Sequence, residues 1–64
     1  MTKRLNIYQI KMNKALRFIN DNLDQKIRIA DLAEVSHFSL FHFQRLYKAM
    51  QMETPYDTIL RLRL

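Results

Sequence analysis

Phe41, Gln44, Arg45 and Lys48 recur at i, i+3, i+4 and i+7, the spacing that aligns side chains along one face of an α-helix. The stripe joins an aromatic ring, a carboxamide, a guanidinium and an ammonium, and it holds no acid. Gln and Arg each make two parallel hydrogen bonds to a planar edge, which is what adenine and guanine present in the major groove of DNA. An aromatic ring suits a thymine methyl, and a lysine suits phosphate. An exposed Phe among cations serves equally well as a protein-docking face, so on these four residues alone both readings stand.

A helix that presents such a face needs an opposite one that anchors it. Phe43, Leu46, Tyr47 and Met50 supply it at the same spacing, rotated about half a turn from the first stripe because Phe41 and Phe43 are two residues of about 100° apart. Upstream, Ile29, Leu32, Ala33, Ser36 and Phe38 combine with Phe43 and Leu46 into the pattern of a helix-turn-helix: apolar along the inner face of its first helix, small where the helices cross, apolar across the turn. Ala33 is the crossing residue, since a larger side chain would push the second helix away. Ser39 follows the break and can cap the amides that open the second helix near Leu40.

Two further helices frame this motif. Ile7, Ile10, Ala15, Leu16, Phe18, Ile19 and Leu23 give an apolar surface to an opening helix over 6–23. Thr54-Pro55-Tyr56-Asp57 predicts a helix start, with Thr as cap, Pro where its missing N–H costs nothing, and Asp in the first turn. The expected fold is all-α: a single small module over 1–64 with about four helices, at 6–23, about 30–36, about 40–51 and 55–64, containing one helix-turn-helix over 29–51.

These segments resemble the first helix-turn-helix of AraC/XylS-type bacterial transcription regulators. Ala15 through Leu23 (ALRFINDNL) is similar to that family's opening helix, Asp31-Leu32-Ala33-Glu34 to its second, and Ser39 through Lys48 (SLFHFQRLYK) to its recognition helix. Thr54-Pro55-Tyr56 and Leu60 through Leu64 resemble the start and body of the long helix that links two such motifs. The combination is far more specific than any piece of it. The resemblance implies a bacterial, cytoplasmic, non-enzymatic DNA-binding transcription regulator, an activator or a repressor. Phe41, Gln44 and Arg45 would meet base edges, while Leu40, His42, Lys48 and Arg28 would touch phosphate or groove, together with the backbone amides opening the motif's first helix. Double-stranded DNA is the expected partner, and a second helix-turn-helix module, RNA polymerase or self-association through the C-terminal helix are further candidates.

The chain also departs from that pattern. It has no glycine, whereas the family usually places Gly in the turn where His37 stands and after the recognition helix near Met52. Both positions suit positive φ; His tolerates it better than Met, so either strain at Met52 or a differently shaped helix end is expected. Arg28 stands where the family often has a Ser or Thr cap, and a guanidinium cannot accept a bond from helix amides, although Asp31 suits the first turn. The family's unit has two such motifs, and this chain stops inside what would be the connecting helix, so the second reader is expected to be missing. Ile59, Leu60, Leu62 and Leu64 would then be exposed, predicting aggregation, self-association or fraying of the last helix.

Composition narrows the function classes. The 64 residues carry a formal charge of +5 and a sequence pI near 10.0, compatible with a polyanionic partner. No acid lies between Glu34 and Glu53, while Asp21, Asp24, Asp31 and Glu34 cluster before that stretch, so the field favours docking by one side. Lys3, Arg4, Lys11, Lys14 and Arg17 make the opening helix basic, with Lys11 and Lys14 read as a solvated face. A core this small is marginal and has no cysteine to staple it. His37 and His42 lack partners at metal-ligand spacing, and Ser36 and Ser39 form no nucleophile–base pair with His37. No metal, cofactor or catalysis is therefore expected. No segment approaches the roughly 20 apolar residues of a membrane span, and no signal pattern opens the chain, so a soluble intracellular protein is expected. The runner-up function is a helical protein-interaction module whose exposed Phe41 and C-terminal leucines dock a partner.

Overall fold

The computed structural model describes residues 6–64, so Lys3 and Arg4 of the basic opening stretch lie outside it. Among the described residues four helices form: α1 (Ile7–Asp21), α2 (Ile29–Val35), α3 (Leu40–Gln51) and α4 (Pro55–Arg63). The expected small all-α architecture with one helix-turn-helix is what the chain adopts.

The helices α1, α3 and α4 each begin where a short polar side chain takes over orphan amides. Asn6 Oδ1 accepts from the Tyr8 and Gln9 amides at 2.8 and 3.4 Å, Ser39 Oγ from the His42 amide at 3.2 Å, and Thr54 Oγ1 from the Asp57 amide at 3.1 Å. At α4 the Asp57 carboxylate returns a bond from the Thr54 amide, completing a capping box. Only half of that device exists at α2. Arg28 stands at its N-cap with extended backbone, its side chain accepts nothing, and Asp31 Oδ2 accepts the Arg28 amide at 3.3 Å.

The core is one cluster drawn from all four helices: Met12, Ala15 and Ile19 from α1, Leu32 and Ala33 from α2, Phe43 and Tyr47 from α3, and Ile59 from α4. Ile29, Phe38, Leu46 and Met50 are half-buried against it. Ser36 is also fully buried; its hydroxyl donates to the carbonyl of Leu32 at 2.7 Å, with that of Ala33 at 3.1 Å, so it brings no orphan polar atom into the core.

Four expectations are corrected in detail. α1 ends at Asp21, two residues early, because Asn22 turns back: its amide donates to Ile19 O at 3.2 Å and its side chain to Phe18 O at 2.8 Å. α2 runs one residue earlier than expected. Ile7 and Ile10 do not join the core; they are 60% and 36% exposed, and Ile10 sits about 200° around α1 from Met12, on the far side. Ile59 is buried at 3%, while Leu60, Leu62 and Leu64 are exposed as expected. At the end of α4 the Arg63 guanidinium donates to Leu23 O at 3.0 Å and also to Gln25 O.

Both positions that wanted glycine adopt the left-handed region, His37 at φ 61° and Met52 at φ 65°. The helix end therefore keeps its tight turn and carries the strain. Met52 donates its amide to Lys48 O at 3.0 Å, closing α3, while its side chain is 84% exposed and gains little burial.

Candidate nucleic-acid interface

The two faces of α3 separate cleanly. Phe43 and Tyr47 are fully buried, whereas Phe41 is 70% exposed and Gln44, Arg45 and Lys48 are exposed beside it. Burial of the opposite stripe decides this orientation: turning α3 to hide Phe41 would bring Phe43 and Tyr47 into water, at roughly 1.5–3 kcal/mol for each large apolar side chain.

The four exposed side chains line one concave surface of about 550 Å³, together with Ala49 on α3 and Thr54 and Pro55 at the start of α4. The Arg45 guanidinium lies over the Phe41 ring at 5.6 Å, so its planar fork is held by the aromatic one turn away. Ala49 continues the line of Phe41 and Arg45 at i+4 and keeps the groove open by being small. Thr54 and Pro55 had no signal on a helical wheel of α3, because they enter the groove through the turn at Met52.

Leu40, His42 and Arg28 do not line this surface. Leu40 is 47% exposed at the first position of α3. His42 is turned to the flank, where it meets Phe38 and Tyr8 edge-on. Arg28 is exposed at the N-cap of α2, on a different helix. The groove thus unites Phe41, Gln44, Arg45 and Lys48 and leaves the other three around or outside its margin.

Glu53, the residue before Thr54, is paired within the fold. Glu53 Oε2 receives the Arg61 guanidinium at 2.6 Å and the Thr58 hydroxyl at 2.5 Å; these two bonds, Arg61 foremost, hold its carboxyl below the ordinary carboxylate range. Thr58 in turn accepts from the Tyr47 hydroxyl at 2.6 Å. Tyr47, Thr58, Glu53 and Arg61 form a continuous chain of bonds that sets α4 against the last turns of α3. Among the described residues, no three His, Cys, Asp or Glu side chains are placed to hold a metal ion, and no helix is long and apolar enough to cross a membrane.

A short helix, a three-to-four-residue turn and a second helix with an acid-free polar face define a helix-turn-helix protein. Residues 19–52, more than half of the chain, match the family described as bacterial regulatory helix-turn-helix proteins, AraC family, and the chain belongs to that family. No curated protein and no solved structure matches it. A DNA-binding regulator is the protein class this membership supports.

Proposed function

We propose that this chain binds double-stranded DNA sequence-specifically, by placing α3 in the major groove. The observation that carries the reading is the convergence of Phe41, Gln44, Arg45 and Lys48 on one concave, acid-free surface whose opposite side is the core. Gln44 and Arg45 present paired hydrogen-bonding groups to base edges, Phe41 makes apolar contact, and Lys48 reaches phosphate. In this reading Leu40 and Arg28, both exposed outside the groove, make peripheral contacts. A single module of this size gives weak binding with steep salt dependence.

Amide NMR of the chain, titrated with mixed-sequence duplex at low and near-physiological salt, tests this. Shifts concentrated at Phe41 through Lys48 that collapse as salt rises are the expected result. Dispersed peaks indifferent to duplex at both salts would overturn it. They would favour the protein-interaction reading instead, to which the exposed Phe41 and the outward Leu60, Leu62 and Leu64 are suited.

A further inference from the structure

Beside the groove, the first turns of α1 and α3 meet. Tyr8 lies on the same side of α1 as Met12, Ala15 and Ile19, one turn beyond the core, so its ring packs outside the domain centre. Its centroid is 6.0 Å from that of Phe38 and 6.1 Å from that of His42, the latter edge-on at 80°. His42 meets Phe38 edge-on at 5.3 Å and 72°. Lys11 holds its ammonium 4.6 Å from the Phe38 centroid. Three polar heads, a phenol, an imidazole and an ammonium, are therefore each anchored by aromatic contact at one place on the surface.

That place borders the proposed reading face. His42 is about 60° around α3 from Arg45, on the flank that turns toward α1. No acid occurs from Ile7 to Asn20 or anywhere in α3, so neither helix brings a carboxylate to the place where they meet. A helix lying in a major groove has the sugar-phosphate walls on its flanks.

We propose that Tyr8, Lys11 and His42 form a phosphate-contacting edge that holds the DNA backbone beside α3. The inference rests on the DNA-binding reading above. Lys11 supplies charge, and the Tyr8 hydroxyl and an imidazole N–H of His42 supply further hydrogen-bond donors. Because Phe38 already restrains Lys11, less side-chain freedom is lost when phosphate arrives. Lys11 thereby leaves the solvated face to which its spacing assigned it.

The test measures duplex affinity across a salt series for the wild-type chain and for Lys11→Met, Lys11→Arg, Tyr8→Phe and Arg45→Ala, with thermal melts of each. Lys11→Met should lower the slope of log K against log salt by about one, Lys11→Arg should keep it, and Tyr8→Phe should weaken binding a few-fold at unchanged slope. Single methylphosphonate linkages, which neutralise one phosphate, give a second readout on the wild-type protein: one linkage should weaken the wild-type chain and leave Lys11→Met indifferent. If both Lys11→Met and Tyr8→Phe bind as the wild type does, with Arg45→Ala impaired, the cluster is packing only and the inference falls alone. If the wild-type chain binds no duplex, it falls together with the reading beneath it.

Discussion

The Tyr47 hydroxyl donates to Thr58 Oγ1 at 2.6 Å across the turn between α3 and α4, and both residues are buried. This bond joins the back of the proposed reading helix to the helix that walls one end of its groove. Thr58→Val preserves shape but strands a buried phenol, at about 1–3 kcal/mol for the unsatisfied group. Tyr47→Phe leaves the Thr58 hydroxyl its bond to Glu53 and should cost nearer 1 kcal/mol. Urea titrations of the two variants check the order; Tyr47→Phe proving the more damaging would mean that packing, not the hydroxyl pair, carries the contact.

Two members of this chain of bonds, Glu53 and Tyr47, make stability depend on pH at both extremes. Glu53 titrates below its ordinary value of 4.5 in the fold, chiefly through Arg61 and then Thr58. Its contribution is therefore full above that ordinary value and is lost as pH falls through the lowered one. Burial raises the Tyr47 phenol above 10.0, so its contribution is full below pH 10.0 and is lost as pH rises through the raised value. Thermal melts from pH 7 down to acid should show a decline that Glu53→Gln flattens. An identical acid decline in that variant assigns it to other carboxylates.

Met52 occupies the left-handed region at φ 65° with a side chain that is almost wholly exposed. Left-handed backbone costs an L-residue roughly 1–2 kcal/mol, and glycine's extra freedom in the unfolded chain offsets part of the relief. Met52→Gly should gain about 1 kcal/mol, or about 4–8 °C in Tm for a domain this small. His37→Gly should gain less, because His enters this region more readily. A fall in Tm for Met52→Gly would show that this exposed side chain makes a stabilising contact after all.

On the groove, Arg45→Ala and Lys48→Ala should fail differently. Loss of Arg45 should cost about 1–3 kcal/mol on a preferred duplex and flatten the preference among sequences. Loss of Lys48 should weaken every duplex alike and lower the salt slope by about one. Competition binding with a panel of duplexes separates the two; a uniform loss from both would remove Arg45 from base reading.

Periodicity made the helices and the two faces of α3 legible, because burial opportunity repeats with the helical turn and Phe43 and Tyr47 leave only one orientation for Phe41, Gln44, Arg45 and Lys48. Capping chemistry is equally local, so Ser39 and Thr54 marked the starts of α3 and α4. The resemblance to the family likewise marked His37 and Met52 as residues standing where glycine is usual, and both take positive φ. Contacts between distant segments left no such trace. Tyr47 meets Thr58, Arg63 reaches the carbonyl of Leu23, and Lys11 settles over Phe38 only because four helices pack at particular positions. A wheel drawn for one helix places Ile10 and Ile59 by hydrophobicity, and it cannot say which of them a neighbouring helix covers. Burial belongs to pairs of surfaces, so the exposed stripe of Phe41, Gln44, Arg45 and Lys48 was written into α3, while the wall at Thr54 and Pro55 and the meeting of Tyr8 with His42 arose from the packing.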